Sequence, residues 1–460
     1  MFVFVLEKSM NCFFRGSFPA LIVVGTAITL SAQPKQNSAF SRYGIGDPLP
    51  AYFANQAGWA GQTAAFHDYY HLNLSNPASY ANLRTTTFET GAYAKHSRYT
   101  SSKDALNIWS GNLAYLSLGF TLNSPINEVL DKVKSPWRFG MGLALTPHTL
   151  IGYQLTTSDS TAEFGKVTNT YQGSGGTYRL SWSNAMRYKN TALGLTIGWL
   201  FGKSRYETRT DFDADATLSF LNNFRNDLRI SGFLYNVGLQ HDVVIKRTVA
   251  DKKVPLKWIT LGLTANNPTN HNLLNEKLYV RSRGTGAGGQ FFGPDTLINL
   301  TGKNALLQNL RMPARLSAGI QYVHSGKIRV GAQADFEQWA QYVNEARPET
   351  LRNTYGLSAG FEYIPDFISY NNYGKRMRYR GGIFYKQDPR AINNTYLNQY
   401  GLTFGLGLPI TLPRQQTSFI NAAFEIGSLG DGAAIEELYG KITIGFTLND
   451  NTWFFQRRFE

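Results

Sequence analysis

Cysteine is almost missing from this chain: Cys12 is the single thiol among 460 residues. It lies ahead of the apolar run 18–30 rather than after it, so it is not placed as a lipoprotein anchor. Once a leader containing it is removed, the mature chain has no disulfide, no Cys-ligated metal and no Cys nucleophile. Charge is also scarce, at 17% against about 25% in an ordinary domain. Long apolar runs are the third absence. After Ala32 nothing approaches the run of about 18 apolar residues that marks a membrane-spanning helix.

The net charge of +14, from 45 Lys and Arg against 31 Asp and Glu, lacks the clustering on one helix or loop that a nucleic-acid binder shows. Small groups such as Lys375-Arg376-Met377-Arg378 and Arg457-Arg458 suit loops and strand ends beside anionic lipid headgroups. No nucleic-acid partner is expected.

What is present begins with export. Lys8 and Arg15 precede FPALIVVGTAITL at 18–30, followed by Ser31-Ala32-Gln33. That basic, apolar, small-residue order predicts a secretory signal peptide over 1–32, cut after Ala32, with Met10 as an alternative start. The run of about 13 residues is too short for a mature transmembrane helix.

Glycine (44) and aromatics (30 Phe, 26 Tyr, 8 Trp) are abundant. Gly lets strands bend and pack closely, and Tyr and Trp suit a membrane–water interface. The mean hydropathy of -0.27 argues against a helical membrane protein. It fits a barrel, which hides a polar lumen behind an apolar exterior.

From about Arg84 the sequence alternates with period two. In 192–201, Leu193, Leu195, Ile197, Trp199 and Phe201 alternate with Ala192, Gly194, Thr196 and Gly198. The same pattern recurs at 355–363, 400–408 and 439–448. The small face is mostly Gly, Ser, Thr, Gln and Asn, with isolated charges such as Arg329, Asp335 and Glu362. A soluble sandwich would point its large apolar residues inward and its charges outward. A lumen of small polar residues behind a lipid-facing apolar surface fits better, and backbone groups in lipid require the sheet to close.

The prediction is an all-β transmembrane antiparallel barrel over 85–460, with about 14 strands. Fifteen segments alternate, one too many for an even-numbered barrel; among them are 162–172, 256–265 and the short 277–283, which is the weakest. Residues 266–312, containing GTGAGG at 284–289, are expected to form a long extracellular loop, and 124–135 a short connecting helix. Residues 33–84, with GIGD at 44–47, Pro48, Pro50 and Pro77, do not alternate. They are expected to fold into the lumen as a plug.

The order of residues in this N-terminal segment carries a family likeness. Ala57, Gly58, Gly61, Ala64 and Ala65 are followed by Asp68, then Asn76-Pro77-Ala78, then Thr87-Phe88 at the first strand. Further on come Pro313, Leu316, Gly319 and Tyr322, with Asp335 and Trp339 after them. The mature chain resembles the FadL-like outer-membrane channels for fatty acids and other hydrophobic compounds. Its C-terminal stretch from Gly427 is similar to the ends of FadL-like barrels that accompany type IX secretion systems. Ser41-Arg42-Tyr43-Gly44 and the Trp-Phe-Phe-Gln-Arg-Arg end depart from the best-known fatty-acid channels.

The resemblance implies an outer-membrane location, with membrane lipid and a small hydrophobic molecule as partners. It implies passive uptake through a plugged barrel with an apolar pocket and a lateral exit. Its alternative is a non-transporting subunit of a secretion complex, with a secretion channel protein as partner. The plug residues it singles out are Asp68, Asn76, Pro77 and Ala78. In 137–156, alternation breaks at Thr146-Pro147-His148. Proline lacks the N–H for a ladder bond and belongs at a bulge or an unpaired position. By order along the chain, this strand resembles the family's third strand, whose inward kink opens a lateral exit. Thr146, Pro147 and His148 are the expected ligand passage, with a bulge at the barrel rim as the other reading.

Enzyme motifs are weak. Gly356-Leu357-Ser358-Ala359-Gly360 has nucleophile-elbow spacing, but that chemistry needs a strand-to-helix turn, and here the Ser is expected mid-strand. Gly284, Gly286 and Gly289 have dinucleotide spacing with no helix predicted after them. His67 and His71 stand four apart without an evident third metal ligand. No enzyme activity, cofactor or metal is expected.

Overall fold

The computed structural model describes residues 37–450 apart from 102–103, 124–134, 162–164, 214–218, 249–254, 285–290, 393–394 and 413–415. The expected leader, nearly all of the expected 124–135 helix, residues 285–289 of GTGAGG and the end from Asn451 lie outside the described residues.

Alternating large and small side chains put every second residue on one face of a strand, and the chain uses this in fourteen antiparallel wall strands. They are β1 (Thr86–Ser101), β2 (Ala105–Thr121), β3 (Trp137–Thr161), β4 (Gly165–Tyr188), β5 (Thr191–Asp213) and β6 (Ser219–Arg247). Next come β7 (Pro255–Asn266 continued by Thr269–Gly284) and β8 (Phe291–Leu300, Leu306–Met312 and Arg315–His324). The rest are β9 (Ile328–Glu337 with Val343–Asn344), β10 (Thr354–Tyr363), β11 (Arg378–Ile392), β12 (Thr395–Leu412), β13 (Gln416–Leu429) and β14 (Ile435–Asp450). β14 closes on β1, from Thr86 opposite Asp450 to Ser101 opposite Ile435.

Leu193, Leu195 and Trp199 on β5, Leu402 and Phe404 on β12, and Ile442 and Ile444 on β14 all point outward and are exposed on the isolated chain. Between them Thr196, Thr403 and Thr443 point inward and are buried. An apolar outer band around a closed ladder is the surface that lipid covers. No described helix is long and apolar enough to cross a membrane. The chain is an outer-membrane β-barrel.

Three sequence expectations need correction. Segments 256–265 and 277–283 belong to one strand, β7, which pairs with β6 on both sides of a break at Asn267-Pro268. The expected loop 266–312 is largely wall: 269–284 pairs with both 291–300 and 306–312. Of the segment 162–172, residues 165–172 are the upper part of β4, which continues to Tyr188, and 162–164 lie outside the described residues. All three lie on the tall side of the barrel. There β3, β4 and β6 run for 25, 24 and 29 residues, while β10 has 10. Ten residues reach about 33 Å and just span the lipid. The extra length stands above it, and its outermost part is open on both faces, so the apolar alternation that marks a lipid-facing strand disappears there.

Candidate functional site

Residues 37–84 pack against the inner face of the wall. A short 3-10 turn (Ala39–Arg42), a two-residue strand (Asp47–Pro48), one helical turn (Ala54–Ala57) and a second 3-10 turn (Pro77–Asn82) are joined by irregular backbone. Buried irregular backbone needs partners, and the wall supplies them. Ala60 N donates to Thr403 Oγ1 (2.9 Å), and Thr63 N and Ala64 N both donate to Gln333 Oε1 (2.8 Å each). Gln240 Nε2 donates to the carbonyls of Ala64 and Phe66, and Leu72 N donates to Glu89 Oε1 (2.8 Å).

Close approach is made possible by inward glycines. The segment passes Gly445 at Ala54, Gly405 at Gly58, Gly382 and Gly360 at Trp59–Ala60, and Gly262 at Ala64. It continues past Gly194 at Pro77–Ala78 and Gly140 at Tyr80. An added Cβ on any of these would come within 2.8 Å of the segment. The small face therefore does more than line a polar lumen: it leaves room for a second layer of backbone.

Two ionic groups fasten the segment near the end that carries Thr86 and Asp450. Asp68 Oδ2 lies 2.8 Å from Arg378 Nη1 and 3.0 Å from Arg329 Nη2, and Arg380 binds Glu362 beside them. Burial alone would raise the Asp68 carboxyl, but Arg378 and Arg329 outweigh it and hold it well below its ordinary value. Burial pushes His71 down to about 4. In the second group His67 Nε2 lies 3.1 Å from Asp242, which also binds Arg187. His71 instead faces Asn421 Nδ2 at 3.2 Å. The two histidines lie on non-helical backbone and turn to different walls, so they do not form a shared metal pair.

Asn76 caps the second 3-10 turn: its Oδ1 accepts from Ala78 N (3.1 Å) and its Nδ2 donates to the Ala64 carbonyl. Pro77 opens that turn, and Ala78 is wholly buried against β5. Asp68 thus meets β9–β11, while Asn76, Pro77 and Ala78 meet β5 and β6. Ser358 is ladder-paired on both sides, to Gln333 and Phe384, with no turn to a helix.

Thr146, Pro147 and His148 occupy an interruption in the wall. β2 and β3 pair only from Thr121 opposite Gly140 to Leu116 opposite Leu145. Beyond Leu145, the β2-facing edge of β3 is met by the N-terminal segment instead. Asp47 and Pro48 pair with Leu150 and Thr149, Leu49 N donates to the His148 carbonyl (2.9 Å), and Ser38 N to that of Gly152 (2.8 Å). On the β4 side the register slips between Pro147 and Thr149, leaving His148 as the extra residue.

A cavity of about 350 Å³ lies behind this seam, with Pro48, Leu49, His148 and Thr149 on its near side. Leu234, Tyr52 and Trp339 contribute apolar surface, and the Arg315–Asp335 (3.2 Å) and Lys95–Glu437 (2.5 Å) pairs line it too. The sequence expectation of an apolar pocket is corrected to a mixed one. Arg179, opposite Thr146, also lines it, with its Nε buried and unpartnered among the described residues. Sequence reasoning missed the seam role of Asp47–Leu49; the extended, proline-flanked DPLP stretch was its only trace.

The BamG family model matches residues 17–460. No curated protein matches the sequence. Among solved structures, a Pseudomonas aeruginosa FadL homologue matches with 12% identity and a TM-score of 0.53, over 88% of this chain and 99% of that one. The P. putida toluene transporter TodX matches with 16% identity and a TM-score of 0.53, over 87% and 99%. The Ralstonia pickettii toluene transporter TbuX matches with 13% identity and a TM-score of 0.50, over 87% and 99%. At such identities the likeness is one of fold. A FadL-like barrel by its architecture, the chain belongs to the BamG family.

Proposed function

We propose that this protein is an outer-membrane channel for passive uptake of small hydrophobic molecules, which leave the barrel sideways through the β2–β3 seam. The observation that carries this reading is the wall interruption at Thr146–His148, opening beside an internal cavity. Residues 37–84 fill the lumen as a plug, so a straight aqueous path would have to displace closely packed backbone. A route through the wall lets an apolar molecule pass from the cavity to lipid without crossing the periplasmic end. Leu113, Leu116 and Leu145 present apolar surface on the lipid side of the seam. The fold shared with TodX and TbuX, which are toluene transporters, supports hydrophobic cargo.

The test is toluene or oleate uptake by cells that lack the chromosomal copy and carry wild-type protein or Pro147→Val combined with Thr146→Phe. A several-fold slower uptake by the variant, at equal amounts of heat-modifiable barrel, supports the lateral exit. Unchanged uptake removes the exit, and uptake by the wild type no faster than by cells without the protein removes transport itself.

A further inference from the structure

On the tall side, the outward face changes character within one step of the lipid band. Trp199 and Phe201 on β5 and Phe233 and Tyr235 on β6 end the apolar band as an aromatic girdle. The next outward row pairs Lys203 with Arg229, and the row after it pairs Arg205 with Asp227. Two residues along a strand advance about 6.6 Å, so these cations stand at the height of lipid headgroups. The tall side rises from the end opposite Thr86 and Asp450, whereas tight turns such as Tyr188–Thr191 lie at the end with the termini. In an outer-membrane barrel the extensions face outward and the tight turns face the periplasm.

The charges are layered. Asp227 is nearly buried (3% exposed) and draws three cations around itself: Lys203 Nζ at 3.1 Å, Arg205 Nε at 2.8 Å and Arg225 Nη2 at 2.6 Å. Glu276, 12% exposed, holds Arg229 at 3.3 Å. Glu207 on the same face accepts from Asn223 (2.7 Å). The four cations are 37–54% exposed. Carboxylates below orient the cations above, and the surface presented to the headgroup layer is ammonium and guanidinium. Arginine forks match phosphate oxygens in pairs.

We infer that Lys203, Arg205, Arg225 and Arg229 form a docking surface for the phosphate groups of the outer-leaflet glycolipid, whose acyl chains lie along the aromatic girdle below. The aromatic band and the cationic rows match the two parts of such a lipid in height and in chemistry. This inference rests on the outer-membrane location and is independent of transport.

The test uses the full-length barrel purified in a neutral detergent and titrated with diphosphoryl lipid A, dephosphorylated lipid A or inorganic phosphate, with bound lipid read by native mass spectrometry. Diphosphoryl lipid A is expected to bind on the order of 600-fold more tightly than the dephosphorylated form, at about fivefold for each of the four cations, and less tightly as salt rises. Lys203→Gln, Arg205→Gln and Arg225→Gln, made together with Asp227→Asn so that no carboxylate is left unpaired, should cut the difference to about fivefold, the share of Arg229. Equal binding of the two lipids by the wild type overturns the inference and requires no variant. Retention of the full preference in the folded variant also overturns it. Full competition by equimolar inorganic phosphate would make the patch a site for free phosphate and overturn the lipid assignment.

Discussion

Gly58 of the N-terminal segment and Gly405 of β12 touch backbone to backbone: a Cβ built on either would stand 2.7 Å from the Cα of the other. Neither position has room for a side chain while the two layers stay together. Gly405→Val should therefore leave β12 paired, since Val favours strands, but push residues 54–60 away from the wall. The cost expected for overpacking is about 1–3 kcal/mol. Faster proteolysis within 37–84 and higher single-channel conductance, with normal heat-modifiable mobility, are the expected outcomes. Unchanged conductance would show that the segment does not limit the lumen.

The docking of this segment should weaken in acid. His71 is pushed down to about 4 inside the barrel, while a free histidine titrates near 6.5. The undocked state then binds the extra proton, so docking is fully stable above about pH 6.5 and weakens down to pH 4, by up to about 1.4 kcal/mol per pH unit. Asp68, held low by Arg378 and Arg329, adds a loss only below about pH 4, where a free carboxyl takes up its proton. Conductance recorded between pH 7.5 and 4.5 should rise toward acid in the wild type and stay flatter in His71→Asn.

Breaking the other ionic group should cost more. Arg187 bonds to Asp242 and to Asn82 Oδ1 (2.5 Å), and all three are buried. Arg187→Met leaves Asp242 with His67 and Thr260 but without its guanidinium. Removing one member of a buried pair costs about 3–5 kcal/mol, which should appear as a lower urea midpoint for tryptophan fluorescence. An unchanged midpoint would mean that the pair contributes little.

Lipid-facing positions supply a test of register. Ile444 is exposed on the outer surface of β14, and Ile197 and Leu406 share the outer faces of β5 and β12. Arginine at each should lower the assembled fraction by about 2–4 kcal/mol near the midplane. The folded-to-unfolded band ratio on cold gels measures this, and equal ratios at all three sites would contradict the outward assignment.

The outer face was legible in the sequence because lipid and lumen impose opposite chemistry on neighbouring residues. Leu193, Leu195 and Trp199 against Gly194 and Thr196 state the register of β5 with no reference to any partner strand. That information ends where the lipid ends. Along 276–282 and 295–300 both faces are at least partly exposed, polarity carries no face, and a paired wall has the composition of a loop.

By itself, then, the sequence determined strand periodicity, closure and the aromatic band, all of which follow from the solvent on each face. It also marked Pro147 as a break, because a residue without an N–H cannot complete a ladder. Tertiary structure alone decided what the break faces. Whether β2 or Asp47–Leu49 lies along the upper edge of β3 depends on where a distant segment settles, and no local pattern encodes that choice. Gly405 and Gly262 likewise have the composition of an open polar lumen in sequence. Only with Gly58 and Ala64 packed onto them is it clear that their missing side chains make room for another layer of backbone.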